Sequence, residues 1–186
     1  MVDIAAAVRA DLAPTGKLRA GINYGHFILA KKDSATGKSS GVAIDLLQEL
    51  ARRLGVPLEI VAYDSVAVMG DAAPTFELFL GRNLKYAQLV STQGGSAAFD
   101  LLAAGKVDAL AGLTQGLLDL VEKLPGSRVL DGRFMGVQQA IAVPKGRRSG
   151  LDYLRRVVEE VKVSGLVARA IERTGVRGIS VAPLAD

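Results

Sequence analysis

A chain of 186 residues with 49% hydrophobic and 23% charged residues is long enough to bury a core and lies far from the composition of a disordered segment. It has no cysteine, which excludes disulfides, thiolate catalysis and Cys-ligated zinc. Its formal charge of +4 is scattered, without the concentrated basic patch that marks a nucleic-acid partner, and no stretch reaches the ~18 apolar residues of a membrane span.

The first element is a short helix over residues 5–12, stopped before Pro14. The start, Met1-Val2-Asp3-Ile4, has acid where a signal peptide places base, so a mature or cytoplasmic start is expected. Residues 17–23 read as a strand that ends in Tyr24-Gly25-His26-Phe27. A polar turn follows at 31–40, rich in Asp, Ser, Thr and Gly. Residues 42–54 carry apolar side chains at 43, 46, 47, 50, 51 and 54, the spacing of one helical face, and Gly55 ends that helix. Residues 57–63 form the next strand. Strand, helix and strand in this order make a βαβ unit, the building block of parallel sheets.

The alternation continues beyond the join at 65–74. Residues 76–84 are helical, 87–91 extended, 96–104 helical, 107–111 extended and 114–124 helical, with Pro125 and Gly126 as the stop. Further strands are expected at 128–130, 137–143 and 179–181. Residues 151–173 form a long helical stretch broken at Gly165. The fold class expected is α/β.

Three motifs bear on family. The strand ending at Asn23-Tyr24 is followed by Gly41-Val42-Ala43-Ile44-Asp45. Later comes Asp100-Leu101-Leu102-Ala103-Ala104-Gly105-Lys106-Val107-Asp108-Ala109, and then Ala140-Ile141-Ala142-Val143-Pro144. In this order they resemble the type 2 periplasmic solute-binding proteins of ABC importers, in particular the amino-acid-type family 3. The resemblance implies parallel-rich sheets with flanking helices in two lobes. The first lobe would hold residues 1–64 and 138–186, the second 75–137, with 65–74 as a shortened connection. It also implies a periplasmic location, an ABC permease as partner and a small solute held between the lobes. Tyr24 and Phe27 stand where the resemblance places the family's ligand-stacking aromatics, and His26 is a ligand-binding candidate from the same strand-end loop. Gly94, Gly95 and Ser96 precede a helix, and Thr114 and Gln115 follow a strand end, so both groups are further ligand-binding candidates. The residues alone leave other readings open: His26 as a solvated loop residue, the aromatics as a core seal, Ser96 and Thr114 as helix caps, Asp45 as a dipole-complementing acid.

The sequence departs from that pattern at the join. The family places a helix, two strands and a ligand-binding Arg there, and Leu113 stands near the position of its ligand-binding acid. The shortened lobes are therefore expected to be completed by strand exchange in a homodimer, or to refold into one compact domain. Three functions follow in order: an impaired non-catalytic solute binder, a self-associating structural derivative, and a dehydratase-like enzyme on the same fold. No cofactor, metal, nucleic acid or membrane insertion is expected.

Overall fold

The computed structural model describes residues 6–24, 29–63, 75–92 and 95–185. Among them seven helices and four strands occur in the order α1 (Ala6–Leu12), β1 (Leu18–Asn23), β2 (Lys31–Lys32), β3 (Ser39–Ser40), α2 (Val42–Leu54), β4 (Leu58–Tyr63), α3 (Thr75–Asn83), α4 (Gly95–Ala103), α5 (Thr114–Val121), α6 (Arg148–Val163) and α7 (Leu166–Thr174). The architecture is mixed α/β with a parallel strand pair. The chain divides into two compact units, one of Met1–Val68 with Gln138–Asp186 and one of Met69–Val137.

In the first unit β1 and β4 pair in parallel, from Leu18 opposite Leu58 to Asn23 opposite Tyr63. The alternation of the pleat turns Leu18, Ala20 and Ile22 toward the helices and leaves Arg19, Gly21 and Asn23 on the other face. Two apolar clusters follow. In one, Val8 and Leu12 of α1 and Leu18 of β1 meet Leu50, Ala51 and Leu54 of α2 and Leu154, Val157 and Val161 of α6. In the other, Ile22 and Ala30 meet Ile44 and Leu47 at the start of α2. Ile44, Leu54 and Val161 are the largest fully buried side chains, each worth about 1.5–3 kcal/mol by removal of its surface from water.

Helix α2 is held at both ends. Before it, Gly41 adopts φ 128°, and a Cβ there would collide with the Leu29 carbonyl, which accepts a 3.0 Å hydrogen bond from Ala43 N. Only glycine fits both the φ and the close approach. After it, Gly55 N donates to Arg52 O at 3.2 Å and Val56 N to Ala51 O at 3.1 Å, the paired bonds of a Schellman ending. On its outer surface Glu49 accepts from Arg52 at 2.8 Å and from Arg53 at 2.7 Å, and Arg53 reaches on to Glu160 of α6. Glu160 serves α2, Glu159 pairs with Lys162 and Arg155 with Asp152. Gly165, with φ 74°, breaks the stretch into α6 and α7.

The second unit contains α3, α4 and α5. Phe79 stacks on Phe134 with ring centroids 5.8 Å apart, and Ser91 Oγ donates to Glu77. The strands expected at 87–91, 107–111 and 128–130 are not formed there, nor are those at 137–143 and 179–181 in or at the edge of the first unit. Each segment has strand-like composition, but none has a ladder partner among the described residues. Among the described residues every buried one belongs to the first unit.

Candidate functional site

The carboxyl edge of the β1–β4 pair is where the first unit gathers aromatic and polar groups. Tyr24 extends the ladder by one residue, its N–H donating to Tyr63 O at 2.8 Å. Its half-buried ring packs on the cluster of Ile22, Ala30, Ile44 and Leu47. Its hydroxyl lies 2.5 Å from Ser39 Oγ, so the phenol ties β1 to the β2–β3 hairpin. Because β3 leads straight into α2, this contact also brings the start of α2 to the same edge.

Tyr63 faces the other way. Paired with Asn23, it shares a face with Gly21, and its ring rests there, since a Cβ at residue 21 would lie 3.1 Å from Tyr63 Cε2. The side chain is 43% exposed. It was not among the residues singled out from sequence. The available signal was a glycine two residues before the end of β1, opposite a strand ending in tyrosine. Further along the same face Glu59 pairs with Lys17 and Arg19, each at 3.4 Å.

The hairpin beside this edge is set by Asp33. Its Oδ1 accepts from Thr36 N at 2.6 Å, Thr36 Oγ1 at 2.8 Å and Ala35 N at 3.0 Å. These bonds, first of all that from the Thr36 amide, hold the exposed carboxyl below its ordinary value. Asp45, in the first turn of α2, is paired with Arg173 Nη2 of α7 at 2.5 Å, so it locks two helices together.

Of the other candidates, His26, Phe27 and Gly94 lie outside the described residues, as does the whole join at 65–74. Gly95 opens α4 with Ser96 second, both exposed. Thr114 is the first residue of α5 and Gln115 the second. The cap position there is taken by Leu113, with no side-chain cap bond, so Thr114 does not cap this helix. Tyr24 belongs to the first unit and Gly95, Ser96, Thr114 and Gln115 to the second.

Among the described residues no three His, Cys, Asp or Glu side chains are grouped to hold a metal ion, and no helix is long and apolar enough to cross a membrane. No family model matches the chain, and no curated protein matches it in sequence. Among solved structures it is similar to the crystal structure of an ancestral cyclohexadienyl dehydratase, with a TM-score of 0.54 and 20% identity, over 87% of this chain and 93% of that one. At that identity the likeness is one of fold alone.

Proposed function

We propose that the chain is a non-catalytic binder of a small polar or anionic solute, of the kind that passes its cargo to an ABC-type importer in the periplasm. The solute seats at the carboxyl edge of β1 and β4 against Tyr63. The observation that carries this reading is the exposed Tyr63 ring resting on Gly21 at the edge where α2 begins. Ligands of open parallel α/β sheets bind outside the carboxyl ends of the strands, and an exposed aromatic face gives a solute area at small conformational cost. Tyr24, spent on Ser39 and the core, frames this edge rather than offering its hydroxyl. The departures at 65–74 and Leu113 make the affinity modest. The experiment is calorimetric titration with a panel of amino acids and organic anions. Saturable heat from at least one is expected; no heat and no thermal shift from any would overturn the proposal.

A second reading, self-association, is favoured by a separate observation. Leu78, Leu84, Leu89 and Val90 of the second unit are each at least 39% exposed, Tyr86 is wholly exposed, and residues 87–91 have strand composition without a ladder partner among the described residues. A second copy exchanging these segments would bury both. The dehydratase reading rests on the name of the structural neighbour; turnover lost in Asp45→Asn would be its sign.

A further inference from the structure

Away from the strand edge, α2 and α7 lie against each other in the first unit. Asp45 near the start of α2 pairs with Arg173 near the end of α7. Between them is a groove of about 310 Å³ whose lining includes Asp45, Glu49, Arg52, Leu166, Arg169 and Arg173.

The carboxylates of this groove are already committed. Glu49 accepts from both Arg52 and Arg53, and Asp45 accepts from Arg173 at 2.5 Å. Among the described residues Arg169 has no carboxylate partner; its Nη1 donates to the Ser164 carbonyl at 3.1 Å, a neutral acceptor that leaves its charge uncompensated. Arg169 and Arg173 stand four residues apart on α7, so they share one helical face, an arrangement of like charges that is unfavourable by itself. An anion between them removes that cost. Guanidinium forks match the paired oxygens of carboxylate and phosphate, and Leu166, one turn before Arg169, offers an apolar floor for a short carbon chain.

We propose that the α2–α7 groove binds a small oxyanion, a carboxylate or phosphate group, with Arg169 as the principal fork and Arg173 and Arg52 flanking it. The Arg52 and Arg173 side chains are 71% and 62% exposed, so binding is weak, on the order of millimolar, and falls as salt screens it.

The test is amide-resolved NMR titration of the full chain at low salt, with sodium succinate in one arm and inorganic phosphate in the other. Saturable shifts at residues 45–52 and 166–173 are expected in at least one arm. Succinate alone identifies an organic acid as the ligand class, phosphate alone a phosphate group. Arg169→Gln should weaken binding by about fivefold or more, since it removes a charged donor pair, while leaving the unfolding midpoint in place. Absence of saturable shifts in the groove in both arms would overturn the proposal, as would unchanged affinity in Arg169→Gln.

Discussion

Glu49 shows how a single surface residue of α2 acquires structural weight. Arg52 donating to its carboxylate, with Arg53 adding to it and partial burial acting in the opposite direction, holds its pKa down from 4.5 to about 2. A carboxyl whose folded value is depressed contributes stability above its ordinary pKa and loses it as pH falls toward the folded one. The unfolding midpoint should therefore decline between pH 4.5 and about 2, and Glu49→Gln should flatten that part of the profile. An unchanged slope in the variant would show that the bonds from Arg52 and Arg53 are energetically idle. The residue scale is also where sequence says least. Asp45 at the head of a helix fits a dipole argument on sight, but its pairing with Arg173, 128 positions later, follows only from how α7 docks. Tyr24 and Tyr63 look alike in sequence, and the pleat sends one to the core and the other to the open face.

At the scale of elements, the close approach of α1 and α6 decides how the first unit closes. Gly150 sits where a Cβ would lie 2.8 Å from Leu12 Cδ2 and 2.9 Å from Asp11 Cβ, and its N–H donates to Asp11 Oδ2 at 2.9 Å. Gly150→Ala should cost about 1–3 kcal/mol through overpacking of this contact, read as a lower urea midpoint with the solute affinity unmoved. The helices of the chain were legible beforehand because their signals are local: the apolar period of α2, the glycine after it, the break at Gly165. The strands expected at 87–91, 107–111, 128–130, 137–143 and 179–181 are not formed among the described residues. A strand is a relation between two segments, and β-like composition supplies only one half of it. The pair β1–β4 forms because α2 lays one strand beside the other; the remaining segments find no ladder partner among the described residues.

For the whole molecule, the two units differ in how they meet the basic requirement of burial. The first encloses its core between β1, β4, α1, α2 and α6, whereas the described part of the second has no buried residue. A segment that buries so little cannot offset its conformational entropy alone. Light scattering after size exclusion should thus give twice the chain mass; a monomer at all concentrations would remove self-association from consideration. The fold itself was legible in motifs spread through the chain, and the likeness to the dehydratase structure agrees at the level of fold. The exposed strand-edge tyrosine was not legible, because its position depends on the register of β1 against β4. That tyrosine supports the most direct test of the proposed function. The affinity of the best solute should be measured for the native chain and for Tyr63→Ala, alongside both unfolding midpoints. We expect binding weakened about tenfold, the loss of roughly 1.4 kcal/mol of ring contact, with the midpoint unchanged. Equal affinity in the two proteins would contradict a solute site at the carboxyl edge of β1 and β4.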